Sequence, residues 1–274
     1  MENNPLKQYF RRPAVYIKLP SEGKDYEEGV IDIPPNGELP IYPMTAIDEI
    51  TARTPDALFN GSAVVELIKS CVPNVLDPWS ISSNDLDAIL IGIKAAGGTD
   101  SLEIVSDCPK CKESGTYGVN LAGVLNSLEA GDYSQIFEVG DLKIKFKPLR
   151  YKEMNDAALV QFQVQKTFEA INKLEDPDQR EEQSQMILKK ITNVTMDLVA
   201  KAIDYIETPE VKVEEYDYIL DFLMNCDKDV YSDIRDFNAK LKLGTQLKPL
   251  DITCVHCGHE YKQEYTINPS DFFG

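Results

Sequence analysis

The chain carries two CxxC pairs, CPKC at Cys108 and Cys111 and CVHC at Cys254 and Cys257, with residues 112–253 between them. Two thiolates three apart in sequence reach one metal ion, but two ligands do not close a tetrahedral site, so each pair needs the other. Both pairs lie between stretches of alternating apolar residues. Leu102, Ile104 and Val105 lead into the first, and Tyr117, Val119 and Leu121 lead out of it. Leu250 and Ile252 precede the second, and Tyr261, Tyr265 and Ile267 follow it. A short polar turn follows each pair, KESG after Cys111 and GHE after Cys257. Strand, tight turn and strand, with two sulfurs at the turn, is the pattern of a zinc knuckle, and two facing knuckles make a four-thiolate site.

The expected ligands are therefore Cys108, Cys111, Cys254 and Cys257, holding one zinc. Four thiolates leave no open coordination position, so the zinc is structural. The alternative is a redox CxxC, which needs only one pair and a helix opening after the strand. His256 and His259 flank the second pair; either is able to replace a thiolate, and both are read as ordinary knuckle residues. Cys71, in an apolar helical stretch, and Cys226, at a helix end, are read as small buried or half-buried residues.

The N-terminal stretch MENNPLKQYFRRPAVYIKL has no apolar signal core, and no apolar run is long enough to span a membrane. A reducing cytoplasm is the expected compartment, which makes a disulfide framework of the six cysteines unexpected. The net charge of −18 argues against nucleic acid, whose binding rests on many Lys and Arg contacts to phosphate.

Residues 1–43 read as an extended arm, because seven prolines from Pro5 to Pro43 resist helix. The arm either docks onto a partner or wraps its own domain. Residues 44–97 read as a small helical region in short pieces. Thr54-Pro55-Asp56 offers one helix start, Gly61-Ser62 precedes the apolar run Ala63 to Ile68, and Ser82 to Asp85 cap a segment ending at Gly97-Gly98. A short helix is expected near Leu121 to Leu128. FEVGDLKIKFKPL then reads as a hairpin turning at Gly140-Asp141. Its Lys143, Lys145 and Lys147 form a row read as a solvated face or an edge guard, or alternatively as a docking patch with Arg150 and Lys152.

Residues 149–245 show four amphipathic stripes: Ala157 to Leu174, Ile187 to Tyr205, Tyr216 to Leu223 and Tyr231 to Leu241. With Asp176-Pro177-Asp178 and Thr208-Pro209-Glu210 as breaks, they read as a helical bundle. The acidic cluster Glu207, Glu210, Glu214, Glu215 and Asp217 reads as a solvated helix start. The expected fold is α+β: a split zinc-ribbon-like antiparallel β module formed by 98–148 plus 246–274, with the bundle of 149–245 inserted between its halves.

Only two histidines occur, and no P-loop, GxSxG, HExxH or dinucleotide fingerprint is present. No catalytic residue is expected, and the chain reads as a non-enzyme.

The runs NPLKQYFRRPAVYIKLPSEGKDYEEG and ELPIYPMTAIDEITARTPDALFNGSAVVELIKSCVPNV, followed by CPKC, resemble the baseplate hub protein family of T-even-type contractile-tailed bacteriophages. YPMTAIDEI and TPDALFNG are the most specific parts, and the resemblance is strongest over residues 3–111. KFKPLRYKEM and the terminal CxxC fit as well, while the helical region matches in general character. The resemblance implies a non-enzymatic, chaperone-like hub assembly protein that binds phage hub or tail proteins in the host cytoplasm. The alternative it implies is a hub component kept in the virion. It implies neither nucleic acid nor membrane as a partner.

Overall fold

The computed structural model describes residues 4–24, 26–54, 61–171, 176–243 and 247–265. The chain divides into two compact units, Met1–Ala130 with Thr245–Gly274, and Gly131–Gly244. The second unit interrupts the first in sequence.

In the first unit, β1 (Val15–Ile17) and β2 (Leu39–Ile41) pair antiparallel, with Tyr16 opposite Pro40. They pack on helices. α1 (Ala46–Ala52) starts at a reciprocal capping box, in which Thr45 caps the Asp48 N–H while Asp48 accepts from the Thr45 N–H. α2 (Ser62–Cys71) follows Gly61, whose φ of 77° is a left-handed entry that favours glycine. α3 (Ser83–Ala96) is apolar on nearly every face and accordingly buried on nearly every face. Each of Ile89, Ile91 and Ile93 contributes about 1.5–3 kcal/mol by leaving water. Gly92 lets the hairpin come close: a Cβ there would stand 3.2 Å from Ile17 and 3.4 Å from Ile41.

The segment before residue 44 is not one extended arm: it opens with a 3-10 helix at Pro5–Tyr9 and turns between β1 and β2, and it belongs to this core. Ile17, Leu19, Leu39 and Ile41 are buried. Arg11 fastens the N-terminal side, donating to Pro43 O at 2.6 Å, Ser70 O at 2.7 Å and Asp48 Oδ2 at 3.3 Å. A second tie is Asp85, fully buried at the start of α3. It accepts from the Ser21 N–H at 2.9 Å, the Ser21 hydroxyl at 2.5 Å, the Tyr26 hydroxyl at 2.5 Å and the Ser82 hydroxyl at 3.3 Å. Burial and the neighbouring carboxylate push the Tyr26 phenol up, so it remains a donor. The helix start expected at Thr54-Pro55-Asp56 runs outside the described residues.

Two further hairpins complete this unit: β3 (Ser101–Asp107) with β4 (Ser114–Asn120), and β9 (Leu250–Thr253) with β10 (Glu260–Gln263). α4 (Leu121–Ser127) follows β4, capped by Asn120. Lys248 and Glu129 meet at 2.6 Å, so the chain leaves this unit and returns to it at neighbouring points.

The second unit differs from a pure helical bundle. Its helices are α5 (Tyr151–Ile171), α6 (Pro177–Lys201), α7 (Tyr216–Asn225) and α8 (Lys228–Leu243). They accompany a four-stranded antiparallel sheet in the order β5 (Ile136–Val139), β6 (Leu142–Phe146), β7 (Ile203–Glu207), β8 (Lys212–Val213). The hairpin read as part of the ribbon therefore lies here, because β6 bonds to β7, a strand that the sequence reading had taken into a helix. Ile144, Phe146, Ile203 and Ile206 from the sheet share one core with Val199, Ile219, Leu223, Ile234 and Leu241 from the helices. Phe237 stacks on Phe137 at a centroid distance of 4.7 Å.

Thr208-Pro209-Glu210 is a hairpin turn rather than a helix break. The Thr208 N–H donates to Val211 O, and its hydroxyl oxygen accepts from the Glu210 and Val211 N–H groups. β6 is interior to the sheet, so its lysines guard no edge. Lys147 pairs with Asp204 at 3.7 Å, Lys145 donates to Ser134 O at 2.8 Å, and Lys143 stands opposite Glu207. Of the acidic cluster, Glu214 pairs with Lys212 at 2.5 Å.

Candidate metal centre

Each cysteine pair sits at the tip of one hairpin, and both tips are built by the same hydrogen bonds. The Cys108 N–H donates to Glu113 O at 3.0 Å, and the Lys112 N–H donates to Cys108 O at 2.9 Å. At the second tip the Cys254 N–H donates to His259 O at 2.9 Å, and the Gly258 N–H donates to Cys254 O at 2.9 Å. The residue after the second cysteine is left-handed in both, with φ 64° at Lys112 and 69° at Gly258. This turn aims both sulfurs of a pair to the same side, and the two tips face each other.

The four sulfurs lie within 4.8 Å of one another. Cys108 Sγ is 3.7 Å from Cys257 Sγ, and Cys111 Sγ is 3.6 Å from Cys254 Sγ. Four sulfurs about 2.3 Å from a central zinc stand about 3.8 Å apart in a regular tetrahedron. The distances and the all-sulfur donor set fit a zinc ion. Cys108 and Cys254 are buried, Cys111 is half-buried and Cys257 is exposed.

Proton chemistry agrees with that fit. Burial opposes ionisation of Cys254, but the N–H groups of Cys257 and His256 and the neighbouring thiols bring it down to about 6. Cys111 goes the other way. The Glu113 N–H favours its thiolate, yet burial and its hydrogen bonds to Cys257, Cys254 and Cys108 push it up to about 12. One sulfur ionises readily and the next, which serves it as a hydrogen-bond donor, resists. A divalent cation at the centre removes that conflict.

Side chains outside the cluster join the hairpins. Ser106 on β3, itself buried, accepts from the Tyr261 hydroxyl at 2.9 Å and donates to Gln263 Oε1 at 2.5 Å. His256 Nε2 donates to Ser114 O at 3.2 Å across the hairpins. His259 stacks on Tyr261 at 6.2 Å. Neither ring belongs to the sulfur cluster. The sequence reading gave no role to Ser106 or Gln263 and took Tyr261 only as an apolar strand residue. Their only sequence signal is a polar residue at an inward strand position, Ser106 between the outward Val105 and Asp107. Cys71 is buried against α3's unit core, and Cys226 is half-buried at the end of α7; both lie apart from the cluster.

The geometry defines an α+β protein in which two antiparallel hairpins, distant in sequence, present a four-cysteine cluster able to hold a metal ion. The family described as T4 bacteriophage base plate protein matches residues 16–274, and the chain belongs to it. It is a phage baseplate protein. No curated protein and no solved structure matches the chain.

Proposed function

We propose that this baseplate protein works without catalysis, as an assembly factor that holds baseplate hub subunits until the hub is built. The family match across residues 16–274 supports a role in the baseplate, and the net charge of −18, which keeps an escort soluble beside its client, supports the assembly part of the reading. Zinc at Cys108, Cys111, Cys254 and Cys257 would supply folding free energy by fixing the two hairpins, as structural sites do. The partners are hub or tail proteins. The acidity of the chain supports protein over nucleic acid as partner, and so does the lysine row, in which Lys147 pairs with Asp204 and Lys145 donates to Ser134 O. Among the described residues no helix is long and apolar enough to cross a membrane.

A second reading is a hub component that stays in the tail, and the description of the family as a base plate protein favours it. Quantitative mass spectrometry of purified phage separates the two. An assembly factor is abundant in infected cells and absent from particles. Stoichiometric peptides in the particle make it a component instead.

A further inference from the structure

β4 and β9 each pair on one side only, β4 with β3 and β9 with β10. Both line a groove of about 600 Å³. The lining residues are consecutive, 116–120 on β4 and 248–253 leading into and along β9. Successive side chains of a strand point to opposite faces, so a wall made of consecutive residues is a strand edge rather than a face.

The hydrogen-bond phase shows which backbone groups lie on those edges. In an antiparallel pair, residues bonded to the partner strand alternate with residues whose N–H and C=O point away from it. The Leu121 N–H donates to Asp100 O and the Cys108 N–H to Glu113 O, which turns Gly115, Tyr117 and Val119 toward β3. Ser114, Thr116 and Gly118 therefore point away. The bond from the Cys254 N–H to His259 O turns Leu250 and Ile252 toward β10, so Asp251 and Thr253 point away. Ser114 O reveals where the β4 edge looks, since it accepts from His256 Nε2 of the second hairpin at 3.2 Å. The backbone groups of Thr116, Gly118, Asp251 and Thr253 have no hydrogen-bond partner among the described residues, and all four residues are exposed.

This chemistry selects the occupant. Free N–H and C=O groups at strand spacing are matched by another extended main chain. The apolar lining residues, Ile104, Tyr117, Val119, Leu250 and Ile252, are buried or half-buried, so the occupant sets apolar side chains against them at alternate positions. The lining charges are one of each sign, Lys248 and Asp251, and Lys248 is held by Glu129 at 2.6 Å, so the occupant carries no net charge. A slot with a strand edge on each side admits a single strand. Every strand among the described residues is already paired, so a second copy of this chain has no single strand to give.

We infer that this groove binds one extended segment of another baseplate protein, paired main chain to main chain with the free edges of β4 and β9. That the segment belongs to a hub or tail protein rests on the partner reading above, whereas retention in the particle is decided separately by mass spectrometry. The test uses short synthetic peptides tiling the phage's hub and tail proteins, arrayed and probed with the full-length protein purified in zinc-containing buffer. Each binder is remade with a fluorescent label and titrated by anisotropy. A bound peptide should slow hydrogen exchange of the Thr116, Gly118, Asp251 and Thr253 amides about tenfold or more. Gly118→Pro removes one N–H from the free edge and leaves the β3–β4 ladder intact. It should weaken binding about tenfold or more, with unchanged circular dichroism and zinc content. Gly118→Ala should bind as the wild type does, because a Cβ there meets nothing within 4 Å. Methylating the peptide's interior backbone nitrogens one at a time leaves the protein untouched and should weaken binding by as much. No binder among the peptides overturns the proposal, as does binding that survives either Gly118→Pro or backbone methylation. Slowed exchange at the four amides on raising the protein concentration without peptide would put a second copy in the groove. Peptide binding that needs residues 266–274 removed would put those residues there. Either result overturns it as well.

Discussion

Lys112 and Gly258 occupy the same place in two copies of one turn, 64° and 69° in φ, although only one of them is a glycine. In both, the N–H of this residue closes onto the carbonyl of the first cysteine, so both must adopt the left-handed conformation that a side chain disfavours by about 1–2 kcal/mol. Lys112→Gly should be neutral or stabilise by up to about 1 kcal/mol, part of the relief being lost to glycine's greater unfolded-state freedom. Gly258→Ala should cost about 1–2 kcal/mol and weaken metal retention. Thermal unfolding with a competing chelator measures both. Equal effects at the two positions would show that the turns are not equivalent.

Cys254→Ser should reduce zinc affinity at least about 100-fold, more than loss of an outer hydrogen bond to a ligand does. It should loosen the two hairpins while leaving most of the helical circular dichroism, because α5–α8 belong to the other unit and have their own core. Metal analysis after gel filtration and far-ultraviolet spectra check the two halves. Retained zinc would remove Cys254 from the ligand set.

Asp85→Ala should cost about 3 kcal/mol or more, since the Ser21 N–H and the Tyr26 hydroxyl lose their acceptor inside the fold. The loss should free the segment between Leu19 and Ile31, read out as new protease cleavage there and a lower denaturant midpoint.

Burial raises Asp87 to about 6 from an ordinary 3.8, so the fold disfavours its ionised form. Below about pH 4 the group is protonated folded and unfolded alike. Stability then falls as pH rises to about 6 and is level above that. Asp87→Asn should abolish this slope and stabilise the protein at pH 7 by about 1–3 kcal/mol. Urea titrations at pH 4, 5, 6 and 7 give the comparison, and parallel curves for wild type and variant would refute the assignment.

How much of this was legible beforehand depends on range. The cysteine pairs were readable because a CxxC followed by a polar turn is a local signal, and a half-filled tetrahedron demands a second half. The helices α5–α8 were readable because their apolar stripes persist for two turns or more. β7 was not. Ala202 and Tyr205 continue the stripe of Ile187, Ile191, Val194 and Leu198 at helical spacing, so a five-residue strand directly after a long helix looks like its last turn. Losing β7 also misplaced its neighbours: the β5–β6 hairpin joined the wrong sheet, and an interior lysine row looked like an edge. The ties made by Arg11, Asp85 and Ser106 join residues far apart in sequence, and no periodicity encodes them.

The most direct measurement is X-ray absorption at the zinc edge on protein purified in zinc-containing buffer, with metal content determined on the same sample. The account predicts one zinc per chain, surrounded by four sulfurs at about 2.3 Å with no nitrogen or oxygen in the inner shell. Substoichiometric zinc, or a shell containing a histidine nitrogen, would contradict it.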